Sequence, residues 1–489
     1  MINQLKIISK ETLIYGVGNA AGSIISFLLL PLYTKFLTPA DYGYLAIFAV
    51  FQSVIEITAA FGLSSGLFRY YLMAENKTEQ RKVISTCFWT QLIFIVVISA
   101  IFFPLSKQFS FIFFENTNFS KYFIFVTATG LLSAFGGFVF SYMRAERKPI
   151  FFAIIQIVKI ILLAITNIYF VVILHKSYQG VIIGNFGVTF IISLFVLLWF
   201  ARFLKFSFSY NFFKRLLIFI TPIYVVNVFF FILSLSDRLF LNHFLSTKEV
   251  GLYSFGSKIG SIVMLGIITP FSTAIVPYAL SIAKEDHFKN TFSKILKYFL
   301  LVLTFFSLCI FYFSKEIVLV VSNKSYMNAS GIIGPILLSG IFYGLYYNLS
   351  IAIDIVEKTY LASIVVIVGA LVSIAINYFT IPLFGMYGSA LASSVSNGVL
   401  FLLMYHFCQK HYPIQYEVVS FFKLLGVALF YVVMYFAIQT LTFVALAIII
   451  KFVLCMLFPF ILYELHIFDS KERTYCLSFI QKITLKIHN

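Results

Sequence analysis

Charge is scarce in this 489-residue chain: Asp, Glu, Lys and Arg together make up 11% of it, while hydrophobic residues make up 61%. No soluble core absorbs that fraction, so the composition excludes a water-soluble globular protein and is that of an integral membrane protein. Acids are scarcer than bases, 18 against 35, and the formal net charge is +17. Nucleic-acid binding does not follow, because no basic stretch is joined to a soluble domain that would present it. The five cysteines (Cys87, Cys309, Cys408, Cys455 and Cys476) are scattered with no close pair in sequence. That excludes a metal motif or a disulfide framework and leaves small apolar fillers. The seven histidines lack metal spacing, and His406 and His411 flank a loop. A nucleotide-binding loop, paired catalytic acids and a nucleophile arrangement are also missing, so an enzyme is not expected. The first apolar run is too long for a cleavable signal and reads as a membrane helix.

Long apolar runs are what the chain does have. A spanning helix needs about 20 mainly apolar residues. Fourteen segments qualify: 12–34, 43–66, 83–105, 121–141, 151–173, 180–200, 216–236, 250–278, 298–314, 331–350, 360–380, 387–407, 419–441 and 444–463. The eighth is expected to tilt or break near Pro270 and Pro277. An even number puts both termini on one side. With that side taken as cytoplasmic, 24 of the 35 Lys and Arg fall in inside segments and 8 in outside ones. Lys159, Lys258 and Lys451 remain within helices. Such a bias fits the orientation, since Lys and Arg accumulate in cytoplasmic loops. The tail 465–489 is amphipathic and is expected on the inner membrane surface, with Lys6 and Lys10 anchoring the amino terminus.

The chain also repeats itself. Phe36-Leu37-Thr38-Pro39-Ala40-Asp41-Tyr42-Gly43 returns as Phe244-Leu245-Ser246-Thr247-Lys248-Glu249-Val250-Gly251, an offset of 208. Tyr169-Phe170 with Tyr178 returns as Tyr378-Phe379 with Tyr387 at 209. Two matches at nearly one offset indicate a duplicated unit of about 200 residues. Both motif copies lie outside in this topology, so the repeat is parallel, about an axis along the membrane normal. The expected fold is therefore all-α: about 14 transmembrane helices in two six-helix lobes plus two added helices. The lobes are 1–205 and 206–412, the added hairpin is 413–464 and the cytoplasmic tail 465–489. The motif itself reads as a turn and helix start, with Asp41 or Glu249 favouring the helix dipole and Gly relaxing the backbone.

These residues carry a resemblance. "PLYTKFLTPADYGYLAIF" after a first helix, "FGLSSGLFRYY" ending the second and "DRLFLNHFLSTKEVGLYSFGSKI" opening the second half resemble the polysaccharide biosynthesis and export family. Within the multidrug/oligosaccharidyl-lipid/polysaccharide superfamily, the chain is similar to the Wzx-type oligosaccharide flippases over helices 1–12. The resemblance implies two lobes facing a central cavity. It also implies passage of undecaprenyl-diphosphate-linked oligosaccharide (an O-antigen, capsule or similar repeat unit) from inner to outer leaflet of a bacterial inner membrane. The partners it implies are that lipid and the bilayer, with polysaccharide polymerase machinery as a further candidate.

Ionisable groups within a membrane span are costly and are functional candidates by default. Arg69, Lys159 and Lys258 would give a cavity a positive bias suited to a diphosphate, whose attraction low-dielectric walls strengthen. Arg69 is equally readable as a cation that snorkels to the surface. Lys451, in the added hairpin, reads as lipid-facing or structural. Glu56 is the one acid placed well inside a helix; it balances Lys159 or Lys258, hydrogen-bonds Gln52, or couples transport to protons. No cofactor is expected beyond a coupling ion, H+ or Na+. Asp237 and Arg238 read as the outer end of helix 7, an ion pair or anchor, with an outer gate as the sharper reading. Polar stripes run along helix 2 (Thr58, Gly62, Ser65, Arg69), helix 5 (Gln156, Lys159, Thr166, Asn167) and helix 12 (Ser389, Ser393, Ser396, Asn397). Such stripes are more often close helix packing than ligand contacts. Two other transporters compete with this reading, a multidrug antiporter and a lipid II flippase. Organic cations would favour an acidic or aromatic cavity; lipid II would share the anionic head.

Overall fold

The computed structural model describes residues 27–204, 207–283, 285, 287–440 and 443–467. Among them there is no strand, and thirteen helices are long and apolar enough to span a membrane. They answer to the second to fourteenth expected segments. The first is described only at its end, as the helix Leu30–Phe36. Lys6, Lys10, Cys476 and nearly all of the amphipathic tail lie outside the described residues.

Local chemistry sets the helix starts. Thr38 and Asp41 form a capping box: the Asp41 amide donates to the Thr38 hydroxyl at 3.2 Å and the Thr38 amide to Asp41 at 3.0 Å. Pro39 then opens the helix Pro39–Ala60, where its missing N–H costs nothing. The second copy starts less firmly, with the Glu249 amide donating to Ser246 at 3.4 Å. Asn76 caps Lys77–Phe102 and Ser209 caps Tyr210–Phe244. Tyr210–Phe244 runs well past Asp237 and Arg238, so the expectation that this pair ends the helix is corrected. Apolar Leu239, Phe240 and Leu241 follow the two charges and carry the helix on.

The duplication extends beyond the motif. Lys77–Phe102 is followed by the short helix Ser106–Phe114 and a 3₁₀ turn at Thr117–Phe119. Phe288–Tyr312 is followed by Ser314–Val321 and a 3₁₀ turn at Lys324–Ala329. Each turn is capped by an asparagine: Asn116 accepts from the Asn118 amide and Asn323 from the Ser325 amide, both at 2.9 Å. Both copies also break the helix that follows the motif. Pro39–Met73 is interrupted at Phe61 (φ 42°) and Gly62 (φ 74°). Thr247–Ile282 is interrupted by a π-helical turn, Met264–Ile268, just before Pro270, as expected of that segment. The break in helix 2 means that a single 100° periodicity does not carry from Thr58 to Arg69, so that expected stripe is not one face.

The chain divides into two compact units. One holds residues up to Ile259 with Val318–Ile332 and Ser363–Ser396; the other holds Gly260–Ile317, Ile333–Ala362 and the chain from Asn397. In the first, a cluster around Phe48, Phe51 and Phe123 and another around Phe138, Tyr142 and Phe200 form the apolar interior. In the second, Tyr312, Tyr431 and Phe458 centre a cluster that joins the two last helices to Phe288–Tyr312. Tyr312 donates to the Tyr431 carbonyl at 2.6 Å and Tyr431 to the Leu454 carbonyl at 2.7 Å. The cysteines were expected to be small apolar fillers. Cys455 is buried in this cluster and Cys309 packs against it, as small fillers do.

Candidate functional site

The first unit holds a half-open cavity of about 670 Å³. Pro39–Ala60 lines it with Tyr42, Gln52 and Ser53, and Ser120–Ala145 with Thr129. Pro149–Asn167 adds Asn167 and Ser177–Ala201 adds Asn185. Tyr210–Phe244 contributes Arg238, and Thr247–Gly260 contributes Ser254 and Lys258. Two cations line the space, and no carboxylate is among its lining residues. The oxygens Asn167 Oδ1 and Ser254 Oγ are buried in its wall without a protein hydrogen-bond partner. A buried polar atom left without a partner is costly, which suits a wall that meets a polar ligand.

Each expected site residue has a definite place. Lys258 lines the cavity. Arg238 lines it too, which the sequence reading did not foresee; its guanidinium bonds Asp237 at 2.6 Å and the Ser234 carbonyl at 2.8 Å. Asp237 is 5% exposed and also accepts from the Tyr253 hydroxyl at 2.6 Å, which lies 3.2 Å from Ser393. Asp237 therefore ties its helix to Thr247–Gly260 and Met386–His411. Lys159 and Glu56 are electrostatic partners of each other. Neither lines the cavity. Arg69 is exposed, with its guanidinium 4.4 Å from the Phe219 ring centroid, and it is not brought to Lys258. Two polar residues of helix 12 contact neighbouring side chains: Ser393 lies 3.2 Å from the Tyr253 hydroxyl, and Asn397 donates to Ser339 at 2.6 Å.

The repeated motif brings its two copies into contact within this unit. Gly43 and Gly251 sit within helices at ordinary φ, so the expectation that they relax the backbone is corrected. A Cβ at Gly43 would lie 1.8 Å from the Thr247 carbonyl oxygen, and one at Gly251 would lie 1.8 Å from that of Pro39. Pro39 and Thr247 are themselves equivalent in the repeat. The two copies thus cross reciprocally, each glycine against the start of the other copy. A second reciprocal pair flanks the crossing. Thr34 donates to the Val321 carbonyl and Asn242 to the Phe113 carbonyl, both at 2.7 Å. The sequence signal for this contact was present, a glycine repeated at one offset, but its partner was not readable.

The second unit has a different space, an apolar groove of about 320 Å³. Its cation, Lys297, is bonded to both oxygens of Glu417 at 3.1 and 3.0 Å. Burial pushes the neighbouring Tyr416 phenol above its ordinary value. Lys451 is likewise answered, by Glu316 at 2.6 Å, which makes it structural rather than lipid-facing.

Comparison with known proteins agrees with this architecture. Lipid II flippase MurJ, in an inward closed conformation, superposes with a TM-score of 0.72 at 17% identity, over 92% of this chain and 99% of that one. An inward-facing multidrug resistance MATE family transporter of the MOP superfamily gives 0.66 at 14% identity, over 81% and 94%. At these identities the likeness is one of fold. Lsg locus putative protein 1 of Haemophilus influenzae is 22% identical over 288 residues, 56% of this chain and 67% of its own length. The family described as polysaccharide biosynthesis protein matches residues 32–330, more than half of the chain. The chain is thus a multi-pass membrane protein with a flippase and transporter fold, and it belongs to the polysaccharide biosynthesis protein family.

Proposed function

We propose that this chain carries undecaprenyl-diphosphate-linked oligosaccharide across a bacterial inner membrane, from the inner to the outer leaflet, with both termini cytoplasmic. The observation that carries this reading is the cavity lined by Lys258 and Arg238 with no carboxylate in its lining. Lys258 in a low-dielectric wall attracts a diphosphate, Arg238 adds guanidinium donors although Asp237 already bonds it at 2.6 Å, and amides and hydroxyls beside them match sugar donors and acceptors. Tyr33, Gln52, Asn167 and Asn185 provide those groups. A cavity built for organic cations would carry acids in its lining, which weighs against the multidrug reading. The family's description supports a polysaccharide precursor over lipid II.

Alternating access is the mechanism this geometry supports. With the Lys and Arg bias defining the inside, the motif end is the outer end. The reciprocal glycine crossing then holds the two copies together on the outer side, and opening outward means separating them. Lys258 and Arg238 hold the diphosphate while the lipid tail stays in the bilayer. No covalent step is involved. The coupling ion is H+ or Na+.

The test is the leaflet location of undecaprenyl-diphosphate-linked oligosaccharide in cells with and without this chain, with lipid II followed in parallel. Loss of the chain should strand the oligosaccharide on the cytoplasmic leaflet and leave lipid II unaffected. Stranding of lipid II instead would move the assignment to lipid II; no change in either would remove the flippase reading.

A further inference from the structure

Four side chains gather at the ends of two helices of the first unit, away from the cavity. Lys148 immediately precedes Pro149–Asn167, and Arg202 immediately follows Ser177–Ala201. The Lys148 amine lies 5.2 Å from the ring centroids of both Trp199 and Phe203. The Arg202 guanidinium lies 5.1 and 5.3 Å from the same two rings. Cation–π contact fixes a cation without cancelling its charge. The carboxylate at the cluster, Glu146, stands 3.5 Å from Lys148 and also accepts a hydrogen bond from Tyr71. Arg202 spends one donor on the Trp199 carbonyl, at 2.9 Å, and is exposed. Positive charge therefore exceeds negative here on an aromatic floor.

The same two helices continue from this floor with exposed apolar side chains: Ile150 and Ile154 on one, Phe195 and Leu198 on the other. A ligand that fits both parts has an anionic head and hydrocarbon chains. Tryptophan and basic side chains at helix ends mark head-group depth, and basic clusters at that depth recognise anionic lipids. A soluble anion would gain only an exposed ion pair, about 0–1 kcal/mol.

We propose that Lys148, Arg202 and Trp199 form a binding site for the head group of an anionic phospholipid of the surrounding bilayer. The chain has two tryptophans, so Trp89→Phe leaves Trp199 as the reporter. The purified Trp89→Phe protein is placed in phosphatidylcholine vesicles, with phosphatidylglycerol brominated near the head group as the quencher. Brominated phosphatidylcholine is the control. Trp199 should be quenched at about tenfold lower mole fraction by the anionic lipid. Molar salt should shrink that preference, because screening shortens to about 3 Å. Lys148→Gln with Arg202→Gln should bring the two curves together, and excess inorganic phosphate should leave the preference intact. Identical curves for both lipids would overturn the proposal, as would a preference that survives both salt and the double substitution. Loss of the preference in inorganic phosphate would assign the site to a soluble anion instead. The salt arm needs neither Lys148→Gln nor Arg202→Gln, so it holds even if that double variant fails to fold.

Discussion

The cavity of the first unit and the groove of the second each carry a lysine, half-buried Lys258 and buried Lys297, yet the two linings differ. In the groove Lys297 is met by both oxygens of Glu417, and in the same unit Lys451 is met by Glu316. In the cavity Lys258 and Arg238 share a lining of amides, hydroxyls and tyrosines that contains no acid; the acid bonded to Arg238, Asp237, is outside that lining. A lysine within a membrane span is thus not a site by its presence. What distinguishes the two regions is their lining: Lys297 and Glu417 line the groove together, whereas Asp237, which bonds Arg238, stands outside the lining of the cavity.

The largest effect should come from closing the distance that only glycine allows. In Gly251→Val the added carbons meet the Pro39 carbonyl, where even a Cβ lies at 1.8 Å. The two cavity-lining helices cannot then cross, and transport should fall to background in the leaflet assay. Gly426→Val is the matching change in the second unit, where an added Cβ meets nothing within 4 Å; transport there should stay within about twofold of normal, as for surface changes away from special features. Equal loss in both would remove the crossing from the account.

Next in size is Lys258→Gln. A charged hydrogen bond is worth about 1.5–3 kcal/mol, so transport should drop about ten- to hundredfold while thermal stability is kept. The groove should behave the other way round. Glu417→Leu leaves Lys297 buried without its partner. It should cost about 2 kcal/mol of stability, reduced from the fully buried case because Glu417 is 34% exposed on its side chain. Transport per folded molecule should change little. A thermal melt beside the leaflet assay separates the two outcomes, and the comparison fails if Lys258→Gln melts early or Glu417→Leu folds normally but does not transport. Smallest of all is Arg69→Ala, which gives up an exposed cation–π contact worth about 0.5–1 kcal/mol and should leave substrate affinity unchanged.

The spans were legible because apolar runs of membrane length are their own signal, and thirteen of them stand where the runs do. The duplicated motif was legible as a repeat, though not as a contact. A glycine that relaxes a turn and a glycine that admits a carbonyl look alike until the crossing helix is present. Charge partners were not legible. Lys451 and Glu316 are 135 residues apart and Lys297 and Glu417 are 120 apart, so only the packed fold pairs them. Asp237-Arg238 imitated a helix end because charges usually mark the membrane boundary. Here the pair is held inside by Tyr253 and Ser234. The break at Phe61 was hidden because phenylalanine is not a residue that favours the left-handed region; its ring stacks on Tyr224 at 4.2 Å instead.

The most direct test of the cavity's role is binding of undecaprenyl diphosphate to the purified protein, followed as retained ligand in native mass spectrometry. The unsubstituted chain and Glu417→Leu should bind alike, and Lys258→Gln should bind about tenfold or more weakly. Binding by Lys258→Gln as tight as that of the unsubstituted chain, or its loss in Glu417→Leu alone, would contradict the assignment of the cavity as the place that holds the diphosphate.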